Sequence, residues 1–173
     1  MWYAIKSTTK EFTRHVSAIK IKEITEKLDP LIWKKYFKFC VVRNPWDLCV
    51  SRFFWRKNGK LKEEKKDKSF EHMIEKLNNK NKYLNHRKNI YQINGEYICD
   101  FHIKYENLLS DLKVAFEIMG IKKYDIEKFP HINGNTRNRE IHYSRYYNSK
   151  TKDIVAKIYK DDIKKFKYEF EKF

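Results

Sequence analysis

Glycine and proline are scarce in this chain, with four and three residues among 173. That excludes a collagen-like repeat or a linker-rich protein. No apolar run approaches the ~18 residues that span a bilayer, and the N-terminus carries no signal-peptide pattern. Cysteine is also rare. Cys40, Cys49 and Cys99 contain no CxxC pair, which argues against a disulfide framework and a zinc site. They read as small core residues in a reducing compartment, and the expected location is the cytoplasm. Acidic residues are in deficit, 23 against 39 Lys plus Arg, for a net charge of +16. Such a surface favours anionic partners: nucleic acid, a nucleotide or an acidic glycan. Aromatics are plentiful at 16%, which argues against disorder. With no internal repeat, residues 1–173 are expected to form a single domain.

The most informative stretch is Phe37–Trp55. Phe37 to Val42 is a short apolar run closed by a turn signal, and it predicts a buried strand. Asn44 suits an N-cap, and Pro45 stands where proline is best tolerated, at the first helical position. Leu48, Val50, Phe53 and Phe54 then follow with helical spacing. Arg43 is thereby placed at the carboxyl end of a strand and beside a helix N-terminus, where an anion is favoured. Ser51, eight residues on, lies about two turns into the helix and can share that anion. The plainer reading is that Arg43 pairs with a carboxylate.

The remaining elements follow from local signals. Ser17–Leu28 predicts a helix capped by Ser17 and ended by Asp29-Pro30. Lys57–Lys68 is a charge run expected to be an exposed loop. Ser69–Leu77 predicts a helix with Phe70, Met73, Ile74 and Leu77 inward. Asn94-Gly95 predicts a type I′ hairpin turn, and Phe101–Tyr105 a strand. Asn107 is expected to cap a helix that Gly120 closes, and Glu106 to hold a loop by accepting hydrogen bonds. Lys150–Phe166 predicts a last helical region.

The string Arg43-Asn44-Pro45-Trp46-Asp47 with Ser51 resembles the 3′-phosphate-binding motif of sulfotransferases, most closely the carbohydrate and heparan-type branch. Three further stretches resemble the family in the same order. They are Asp100–Asp111 with its Glu-Asn-Leu, the Tyr-rich His142–Tyr147, and Phe166–Phe170, where Lys167 replaces the commoner glycine. The likeness is strongest over residues 15–170. It implies a P-loop-like three-layer α/β fold with a central parallel sheet. It also implies a 3′-phosphoadenosine 5′-phosphosulfate (PAPS) donor and a hydroxyl acceptor, expected to be on a glycan. By the same resemblance Arg43 and Ser51 hold the 3′-phosphate, and Arg137 or Arg139, with Arg137 preferred, reaches it from the Phe129–Arg139 loop. His15, ahead of Ser17-Ala18, is the implied base on the acceptor.

The family's Lys-containing phosphate loop is not evident. Lys6-Ser7-Thr8-Thr9 has no glycine and too little chain before it, so it reads as a coincidence, and the chain as N-terminally truncated. Two alternatives stand beside the enzyme. One is an inactive or incomplete sulfotransferase-like nucleotide-binding domain. The other is a basic nucleic-acid-binding module, disfavoured because most aromatics fall at core spacings.

Overall fold

The computed structural model describes residues 16–58, 69–79, 88–126, 128 and 140–173. His15, Arg137, Arg139 and Lys6–Thr9 lie outside these residues, as do most of the Lys57–Lys68 and Lys80–Asn89 stretches. The chain divides into two units, Met1–Cys40 with Lys82–Ile103 and Val41–Asn81 with Lys104–Phe173.

Among the described residues of the first unit, the first element is helix α1, Ala18–Leu28. Its cap is Ser17, whose hydroxyl accepts from the Lys20 amide at 3.4 Å. Ala18 and Ile24 are buried, as one apolar stripe requires. Asp29 ends the helix and its carboxylate accepts from the Leu31 amide at 2.8 Å, leading into the short α2, Ile32–Lys35. Strand β1 is Phe39–Val42. A hairpin follows later, β2 Gln92–Ile93 against β3 Glu96–Tyr97. Its turn residues Asn94 and Gly95 have φ of 52° and 85°. Two positive values define the type I′ turn predicted from the Asn-Gly pair. Strand β4 is Phe101–Lys104, and it joins β1 in a two-stranded parallel sheet. The two strands start in register through one residue pair. Asp100 accepts from the Lys38 amide at 2.7 Å and from its ammonium at 3.0 Å, and Lys38 accepts from the Asp100 amide at 2.7 Å.

The expectation of a six-residue buried strand needs correction. β1 has four residues, of which Val42 is buried while Phe39 and Val41 are 37% and 44% exposed. A strand is buried on both faces only when layers cover both. Among the described residues, the face carrying Phe39 and Val41 lacks that cover.

The second unit is mainly helical. It holds α3 Pro45–Asn58, α4 Phe70–Asn79, a 3-10 turn at Tyr105–Asn107, α5 Leu108–Ile118, a second 3-10 turn at Tyr143–Tyr146, α6 Ser149–Ile158 and α7 Lys160–Phe166. Cys49, Val50 and Phe53 of α3 are buried, as are Met73, Ile74 and Leu77 of α4 and Val155 of α6. Each fully buried aliphatic side chain of this set contributes about 1.5–3 kcal/mol. Phe70 joins the rings, edge-on to Phe53 at 5.7 Å and to Tyr147 at 4.9 Å. At the rim Lys150 bonds Glu75 at 2.6 Å and Asn148 bonds Glu71 at 3.2 Å, tying the start of α6 to α4. Among the described residues, no helix is long and apolar enough to cross a membrane.

Two more expectations change in this unit. The last helical region is two helices, because Tyr159 leaves helical geometry at φ −104°, ψ 20°. Its ring is buried in the core. Asn107 makes no side-chain cap to α5. Instead Asp111 reaches back and accepts from the Lys104 amide at 2.7 Å. At the end of α7, Lys167 takes the left-handed conformation at φ 54°, ψ 49°. Glycine meets no penalty there, and the Tyr168 amide closes the end on Ile163 O at 3.0 Å.

Candidate functional site

Among the described residues of the second unit, residues 43–51 gather a set of bonded polar side chains around Arg43. Arg43 follows the end of β1, and its guanidinium lies over the Tyr105 ring at 4.0 Å. Tyr105 in turn follows the end of β4. The parallel strands therefore deliver both residues to one edge. The Arg43 Nε donates to Asp47 at 2.5 Å, and its Nη1 donates to Ser51 Oγ at 3.1 Å. The Arg43 and Asp47 side chains keep only 17% and 14% of their exposure. The plainer sequence reading is realised, since Arg43 pairs with the Asp47 carboxylate, and the same guanidinium also reaches the helical serine. Asp47 takes Nε and holds the guanidinium plane, so the Nη side is turned toward Ser51. A planar fork presented this way suits a phosphate or sulfate.

Asn44 anchors this arrangement. It is 5% exposed. Its side-chain oxygen accepts from the Trp46 amide at 3.1 Å, which caps α3. Its side-chain nitrogen donates to Glu169 O at 3.1 Å and lies 3.5 Å from the Tyr143 hydroxyl. Its own amide donates to Glu106 at 2.6 Å. The other Glu106 oxygen accepts from Tyr168 at 3.3 Å, so Glu106 has the loop-holding role read from sequence. Burial and the Glu106 carboxylate push the Tyr168 phenol well above its ordinary pKa, which keeps it a donor.

The C-terminal tail completes the frame. Trp46 meets Phe170 edge-on at 5.5 Å, and its indole donates to Lys152 O at 3.1 Å. Tyr147 donates to Trp46 O at 2.8 Å, and the Glu171 amide donates to the Tyr143 hydroxyl at 2.8 Å. The Tyr-rich segment and the tail are therefore the wall that fixes the Arg43 turn.

One element of the sequence reading shifts here. A helix N-terminus suggests free amides for an anion, but the amides of Asn44 and Trp46 are already bonded to Glu106 and Asn44. Asp47 and Tyr105 were not anticipated as site residues. Asp47 is detectable in hindsight as the acidic first-turn residue four positions after Arg43, and Tyr105 as the residue ending the next parallel strand. His15 and Arg137 lie outside the described residues.

The sequence matches the profile of a family described as "Sulfotransferase family" over residues 4–169. Searches of curated proteins and of solved structures each found no match.

Proposed function

The chain belongs to the sulfotransferase family, and on that premise we propose that it moves a sulfuryl group from PAPS to a hydroxyl group, on a carbohydrate. The observation that carries this reading is the Arg43–Ser51 contact of 3.1 Å beside the strand end. In the proposal these two side chains grip the 3′-phosphate, with Arg137 closing over it. Asp47 and Tyr105 hold the guanidinium in place. His15 takes the proton of the acceptor hydroxyl as its oxygen attacks sulfur. The bond from sulfur to the 5′-phosphate oxygen breaks in line, and adenosine 3′,5′-bisphosphate leaves. A histidine suits this step because its ordinary pKa lies near neutrality. Donor, acceptor, three-layer fold and cytoplasmic location all belong to the proposal. The net charge of +16 supports an anionic donor.

The test is titration of the chain with adenosine 3′,5′-bisphosphate and, separately, with single-stranded DNA. The proposal expects nucleotide binding that Arg43→Ala weakens by about 10–100-fold. Salt-sensitive DNA binding that Arg43→Ala leaves unchanged, with no nucleotide binding, would replace it with the nucleic-acid reading.

A further inference from the structure

A second cluster of chemically capable side chains lies in the first unit, apart from Arg43 and Ser51. Cys40 stands on β1, His102 on β4, and Cys99 in the segment leading into β4. None of the cysteines is in a disulfide. The two sulfurs and a ring nitrogen of His102 all lie within 4.8 Å of one another, and each of the three residues is half-buried. The Nε2 atom of His102 is itself shielded from solvent. Sequence spacing could not reveal this group, because the pairing of β1 with β4 brings Cys40 to residues far along the chain. Nor does the cluster fit the expectation of three small core residues, since Cys49 is buried but Cys40 and Cys99 are not.

We propose that Cys40, Cys99 and His102 bind one zinc-class divalent ion that staples β1 to β4. Two thiolates and an imidazole make a soft, borderline set that suits zinc over magnesium or calcium. Tetrahedral coordination at ~2.3 Å to sulfur and ~2.0–2.1 Å to nitrogen puts donor atoms about 3.5–3.8 Å apart. Donors within 4.8 Å need move only about 1 Å to reach that geometry, within the reach of side-chain rotation. The fourth position is left for water. Cys40 precedes Arg43 by three residues, so the ion would fix the strand that leads into Arg43.

The test uses the full chain without a histidine tag, reduced and stripped of metal. Titration with Co²⁺ is expected to give a thiolate-to-cobalt charge-transfer band and the visible bands of a tetrahedral ion, both erased by one equivalent of Zn²⁺. Cys99→Ser and His102→Gln should each weaken binding at least tenfold, while Cys49→Ser, which is outside the cluster, should not. Folding is checked by comparing metal-free melting curves. A measurement without variants stands beside these: Zn²⁺ should protect Cys40 and Cys99 of the natural chain from alkylation, read by peptide mass. The proposal is overturned if no charge-transfer band appears, if the band survives Cys99→Ser, or if Zn²⁺ gives no protection. It is equally overturned if Cys40 and Cys99 are found joined as a disulfide that reductant does not open to metal.

Discussion

Three described helices of the second unit, α3, α5 and α6, begin at an asparagine; Asn44 of α3 and Asn107 of α5 are a pair that local sequence marks alike. Their surroundings are opposite. Asn44 is buried and bonded through its amide, its side-chain oxygen and its side-chain nitrogen. Asn107 is exposed and makes no side-chain cap. The difference teaches where a local signal becomes a tertiary one. At Asn44 the amide and the side-chain nitrogen are committed to distant residues while the side-chain oxygen caps the helix, so the turn that carries Arg43 is tied down from several directions. At Asn107 the helix starts without help from the asparagine side chain, and Asp111 steadies the entry instead.

The sharpest way to break this comparison is to truncate both asparagines. Asn44→Ala removes a cap and strands buried partners, at about 1 kcal/mol for the cap and 1–3 kcal/mol for each orphaned group. A loss of about 2–4 kcal/mol in urea unfolding is expected. Asn107→Ala should stay within about 0.5 kcal/mol. Equal losses at the two sites would show that Asn44 is an ordinary cap.

Four changes probe the site that Asn44 supports. Arg43→Ala should weaken adenosine 3′,5′-bisphosphate binding by about 10–100-fold, the value of a charge-assisted contact worth roughly 1.5–3 kcal/mol. Ser51→Ala should cost about 2–10-fold by calorimetric titration, as a neutral hydrogen bond worth about 0.5–1.5 kcal/mol does. If the serine change costs more than the arginine change, the assignment of the charge to Arg43 is wrong. Asp47→Asn should lie between them, since it keeps the shape but loosens the hold on the guanidinium. Arg43→Lys should rescue little, because a lysine cannot present a planar fork.

Much of the local structure was legible in the residues alone. The Ser17 cap, the Asn94-Gly95 turn and the Pro45 helix start depend on neighbours within a few positions, and the structure contains all three. The placement of Arg43 and Ser51 was legible too, because a turn and then helix from Pro45 onward span the eight positions between them. The rest depended on pairings across the chain. Asn44 meets Glu106 across 62 positions and Glu169 O across 125, and no local pattern encodes such partners. The exposed face of β1 was misread for the same reason, since a run of apolar residues does not say how many layers will cover it. Tyr105 and the Cys40–Cys99–His102 group became visible only once β1 and β4 were seen to pair.

The central claim is that Arg43 recognises the phosphate on the 3′ side of the donor. The most direct measurement compares the affinities for adenosine 3′,5′-bisphosphate and adenosine 5′-phosphate, in the natural chain and in Arg43→Ala, by calorimetric titration at fixed salt. The account predicts that the natural chain prefers the bisphosphate by at least ~10-fold and that Arg43→Ala removes the preference. A preference that survives Arg43→Ala undiminished in a folded variant would contradict it.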